Sequence, residues 1–309
     1  MIRTIKGVLA GTAALLAAGC DLSEVSTTPG EEVVVVEAVL RTDQPRQEVL
    51  LHRALQGRFS GGVPGAHVVV TGDDGQAHTL VPSTNCYRID PEYQESDPLD
   101  FQGSCYASPD YDLGWVTPGR TYDLRVETAD GRVIQGRTHV PANFAVPSVA
   151  KNPQAPGCYL LPNTGFTLLW TRSEGAPSYV ADLRIMNLAG RLPGIGVPDP
   201  FELRGLAVSD NDTTIAFPSE FGVFERFNYS AELLKAIENG FPNGVTMQLS
   251  VAAVDRNWLN SVRGGNFNPS GLIRISTVVG DGVGVFGSLV VKRYVIPVTF
   301  NSNFPKCGL

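Results

Sequence analysis

The stretch Thr121-Tyr122-Asp123-Leu124-Arg125-Val126-Glu127-Thr128 decides the fold class. In an extended chain Tyr122, Leu124 and Val126 fall on one side and Asp123, Arg125 and Glu127 on the other, the period of two of a half-buried strand. Thr117-Pro118-Gly119-Arg120 forms a turn before it, and Asp130-Gly131 turns after it into a second run, Arg132 to Val140, which Pro141 ends. Asp-Gly supplies the positive φ that a tight hairpin needs. The same grammar extends toward the N-terminus. Val33–Leu40 is β-branched, Glu48–Ala54 follows, and Gly61-Gly62-Val63-Pro64-Gly65 breaks the chain before Ala66–Thr71. Asp73-Asp74-Gly75 then turns it into Gln76–Val81. About seven short strands with a turn every ten residues or so predict a β-sandwich.

Pro141 to Pro156 is spaced by prolines and marks the expected domain boundary. Beyond it, Phe166–Trp170 and Ser178–Ile185 read as adjacent strands, Val245–Val254 as a later strand and Gly287–Phe300 as the last. The segment 186–244 reads as an inserted loop region carrying one short helix. Ser230 caps it, Leu233, Leu234 and Ile237 form its apolar face, and Asn239-Gly240 ends it with Pro242 beyond. The expected fold is therefore all-β: two antiparallel β-sandwich domains, 33–141 and 142–309, the second with the insertion 186–244.

The first nineteen residues have a different character. Arg3 and Lys6 precede the apolar run Val8–Leu16, and Leu16-Ala17-Ala18-Gly19 leads into Cys20. A positive start, a short apolar core and small residues make a secretory signal peptide, too short to span a bilayer as a mature helix. The cysteine placed directly after Ala-Gly resembles the lipobox of bacterial lipoproteins. That resemblance implies lipidation at Cys20 and a membrane held by the lipid anchor. Residues 20–32 are polar and aperiodic, a flexible tether with an r.m.s. span of roughly 20 Å.

The chain has 309 residues, 24 basic and 31 acidic; without Arg3 and Lys6, 22 basic residues remain, for a formal charge of −9. An acidic surface argues against nucleic acid and against electrostatic attraction to anionic lipid. Five cysteines is an odd number for an exported protein. With Cys20 lipidated, Cys86, Cys105, Cys158 and Cys307 remain for disulfides in an oxidising compartment. The expected pairing is Cys86–Cys105 and Cys158–Cys307, against crossed pairing or free thiols.

Candidate chemistry is sparse. Gly282-Val283-Gly284-Val285-Phe286-Gly287 fits G-x-G-x-x-G, but strand-forming residues follow it, and no Asp or Glu occurs after Asp281. A dinucleotide fingerprint needs a helix and a downstream acid. The glycines are read instead as a tight loop, with Phe286 filling an apolar gap between sheets or domains. Asp90, Glu92, Glu95, Asp97 and Asp100 lie between Cys86 and Cys105, a weak calcium candidate without a spaced motif. His52, His67, His78 and His139 are scattered, and neither a zinc motif nor a nucleophile elbow is present. No cofactor is expected. Phe221, Phe224, Phe227 and Tyr229, with Trp258, are the candidate binding residues, an aromatic platform for a glycan, small ligand or protein partner. Their other reading is core packing.

Val63–Val70 with Asp74-Gly75, and Pro118-Gly119 with Tyr122–Val126 and Asp130-Gly131, resemble a transthyretin-like or carboxypeptidase-regulatory-like sandwich. The strands around Trp170 and Tyr179 resemble a fibronectin type III sandwich, in which such a pair lies in the core. The whole order, with Val254-Asp255-Arg256-Asn257-Trp258-Leu259 and Gly282–Ser288, resembles a bacterial family known only as domain of unknown function forty-two forty-nine. Its members are outer-membrane lipoproteins often encoded beside TonB-dependent receptors. The insertion and the four further cysteines depart from that pattern. The resemblance implies a non-catalytic cell-envelope lipoprotein, an accessory or surface-binding component of TonB-dependent transport, with no catalytic residues to carry over. The alternatives are an envelope polysaccharide or peptide hydrolase with a dispersed site, and a structural or adhesive spacer.

Overall fold

The computed structural model describes residues 32–55, 58–84, 103–109, 112, 114–149, 157–207, 209, 211–217, 219–220, 229–266 and 275–308. Cys20, Cys86, the acidic residues Asp90–Asp100 and the aromatics Phe221, Phe224 and Phe227 lie outside them.

The N-terminal half contributes β1 (Glu32–Arg41), β2 (Glu48–Leu55), β3 (Arg58–Gly62), β4 (His67–Gly72), β5 (Ala77–Ser83), β6 (Ser104–Ala107), β7 (Thr121–Glu127) and β8 (Val133–His139). The alternation read in the sequence holds. Tyr122, Leu124 and Val126 of β7 are buried, and in β1 Val34, Val36, Ala38 and Leu40 alternate into the core. β5 carries the chain round a corner: Ala77–Leu80 pairs with β4, and Val81–Ser83 with β6. A strand that changes partners in this way joins the two layers of a sandwich.

The C-terminal half contributes β9 (Phe166–Leu169), β10 (Ser178–Met186), α1 (Leu188–Arg191), β11 (Phe201–Ala207), β12 (Thr214–Phe217) and α2 (Ala231–Ile237). β13 (Thr246–Val254), α3 (Arg256–Asn266), β14 (Val278–Gly280) and β15 (Gly282–Pro297) follow. The helix α2 forms as expected: Ser230 Oγ accepts from the Leu233 amide at 3.2 Å, and Leu233 and Ile237 are buried. The segment 186–244 holds more than that helix. β11 pairs with β10 and β12 pairs with β9, so it supplies strands to both layers. β9 and β10 are not adjacent in one sheet, which corrects the sequence reading. They lie in facing layers, with the Trp170 and Tyr179 rings 5.3 Å apart in the core.

The large sheet runs β11-β10-β13-β15-β1-β2-β6-β5-β4-β7-β8-β14, with β3 beside β2; β12 and β9 form the small one. The hinge of this arrangement is β15. Its first half pairs in parallel with β1, from Val34↔Gly282 to Arg41↔Leu289. Its second half pairs antiparallel with β13, from Val254↔Leu289 to Thr246↔Pro297. The expectation of purely antiparallel sheets therefore fails at β1 and β15, because the last strand is shared by both halves. One apolar core runs from Val34 to Cys307 on one side of the sheet. On the other side α3 covers a smaller cluster of Val180, Ala252, Val254, Leu289 and Val291.

Cys158 and Cys307 form a disulfide, as expected, with Cα atoms 5.0 Å apart. Cys105 is also disulfide-bonded. The connection after β8 is built in: Val146 and Ser148 are fully buried, and the Gly308 amide donates to the Ser148 carbonyl.

Candidate functional site

The two motifs singled out at Val254–Leu259 and Gly282–Ser288 meet in space. Asp255 follows β13 and caps α3: its Oδ1 accepts from the Trp258 amide at 2.7 Å. Asp is a favoured N-cap because its carboxylate satisfies an amide that the first helical turn leaves unpaired. Its Oδ2 accepts from the Thr138 hydroxyl at 2.6 Å, and Thr138 Oγ1 lies 2.8 Å from Ser288 Oγ. The Asp255 amide donates to the Ser288 carbonyl at 3.0 Å. Asn257 then uses both hydrogens of its side-chain amide, donating to the Arg137 carbonyl at 2.7 Å and the Phe286 carbonyl at 2.8 Å. Four residues thereby tie β13, α3, β8 and β15 into one knot.

The glycines belong to this knot rather than to a nucleotide loop. Gly284 and Gly287 sit inside β15, which corrects the reading of a tight turn. A Cβ on Gly287 would lie 2.9 Å from the Trp258 amide nitrogen and 3.1 Å from Asp255 Oδ1. One on Gly284 would lie 2.0 Å from the Val36 carbonyl oxygen. Phe286 is fully buried and packs over Gly136 of β8, so it fills the space between the two layers as the sequence suggested.

The electrostatics of the knot are those of a sealed site. Thr138, Asp255 and Ser288 are all buried, at 1%, 4% and 0% exposure, which puts the hydroxyl–carboxylate group out of reach of a substrate. Burial pushes the Asp255 carboxyl up from its ordinary value, against the bonds from Thr138 and the backbone amides, which pull it down. A contrasting carboxylate lies at the end of β1. Asp43 is also largely buried, but the Arg41 and Arg293 guanidinium groups beside it hold its pKa below the ordinary value.

The described aromatic candidates do not form one platform. Tyr229 packs on Phe201 with ring centroids 5.0 Å apart and donates its hydroxyl to the Glu202 carbonyl at 3.1 Å. Phe201 belongs to the main core, and Tyr229 is half-buried against it. Trp258 lies over the second cluster, on the opposite face of the sheet. Alternation separates them: Val251 and Ala253 point to one face of β13, Ala252 and Val254 to the other. The histidines are dispersed as well. The His52 ring lies near Phe59, the His78 ring stacks on Trp115 at 4.2 Å, His139 Nδ1 lies 3.1 Å from Thr121 Oγ1 and His67 is exposed. Among the described residues no three His, Cys, Asp or Glu side chains group around a possible metal position.

Sequence reading missed the partners of Asp255, namely Thr138 and Ser288, and it missed α3. The available signal was Asp255 followed by Trp258 and Leu259, an N-cap before apolar residues.

The profile of a domain of unknown function (DUF4249) matches residues 22–176. The chain belongs to this family. The match covers the first half and not the larger part expected, and both motifs of the knot lie beyond it. No curated protein matches the chain significantly. Among solved structures it is similar to the FN1–FN3 domains of chicken CNTN1. The identity is 12%, coverage is 88% of this chain and 68% of that one, and the TM-score is 0.20. A DUF4785 family protein from Legionella pneumophila is similar at 10% identity, with 71% and 51% coverage and a TM-score of 0.21. At those scores the fold assignment rests on the sheets themselves.

Proposed function

We propose that this DUF4249 protein is a non-catalytic lipoprotein of the outer membrane that serves a TonB-dependent transporter or another envelope complex by binding. The observation that carries the reading is Leu16-Ala17-Ala18-Gly19-Cys20 followed by a polar tether that ends at β1. The acidic composition and the family's resemblance to lipoproteins beside TonB-dependent receptors support it. So does the use of the most distinctive motifs, Val254–Leu259 and Gly282–Ser288, in joining strands to one another. Pull-down of the full chain from detergent-solubilised membranes tests it, with recovery of a TonB-dependent receptor or other envelope protein as the expected result. A Cys20→Ser chain that stays with the membrane fraction, or a pull-down that brings no envelope partner, overturns the reading.

A further inference from the structure

We draw no further inference here: the strongest candidate, the exposed Phe300 and Phe304 side chains on the C-terminal loop that the Cys158–Cys307 disulfide pins, is an unpartnered apolar patch, and nothing in the structure shows what covers it.

Discussion

Asp255 is held by hydrogen bonds and penalised by burial at once, so its effect on stability depends on pH. Its folded pKa lies above the ordinary carboxylate value. The folded state therefore holds this proton more tightly than the unfolded state does, and stability from this group falls as pH rises through the window between the two values. Asp43 has the opposite sign. Its pKa is lowered, so its contribution is present above the ordinary carboxylate value and is lost as pH falls through the folded one. Asp255→Asn keeps the shape and one acceptor for the Trp258 amide, but removes the titration. Urea midpoints measured between about pH 4 and 7 should show the variant gaining on the wild type as pH rises. A constant difference across that range would mean that Asp255 titrates as if exposed.

At the scale of elements, β15 depends on the absence of a side chain at one position. Gly284 has φ +138°, and the Val36 carbonyl occupies the place of its Cβ. Gly284→Ala must displace β1 or bend β15, at a cost of more than about 3 kcal/mol, since overpacking and backbone strain act together. Gly75→Ala is the control. Gly75 also has a positive φ, +82°, but has open space around its Cβ position, so about 1 kcal/mol is expected. Comparable losses in chemical denaturation would refute the role given to the close approach. The strands themselves were legible, because Tyr122, Leu124 and Val126 alternate with charges and Asp-Gly turns punctuate the runs. The capped helix α2 was legible for the same kind of local reason. α3 was not, because its one local signal, the Asp255 cap, comes directly after the strand, and Gly264 and Gly265 are poor helix formers. The β1–β15 ladder was not legible either. Nothing local to Val33–Leu40 specifies a parallel partner some 250 residues on. Of the candidate platform, the two described members, Tyr229 and Trp258, pack against opposite faces of one sheet, a separation that nothing local in the sequence specifies.

For the whole molecule, the shared strand and the continuous core predict that the two halves unfold together. The Cys158–Cys307 disulfide bridges residues 149 apart in sequence and pins the C-terminus beside the start of the second half. Chain entropy sets an upper limit of about 5 kcal/mol on what closing a loop of that length contributes. Replacing Cys158 and Cys307 together by Ser should lower the urea midpoint while leaving a single transition. Two resolved transitions would show that the halves are independent despite β15.

The chain order of β1 and β15 has a consequence for how the protein is made. Among the described strands β1 is synthesised first and its parallel partner last. Until residues 282–289 arrive, Val33-Val34-Val35-Val36 presents one unpaired backbone edge, in a segment of high β-propensity. Such an edge is a template for other chains. A nascent molecule is therefore most prone to aggregate through this strand. The step that ends this vulnerability is the closure of the longest-range ladder in the fold, the slowest kind of contact to form.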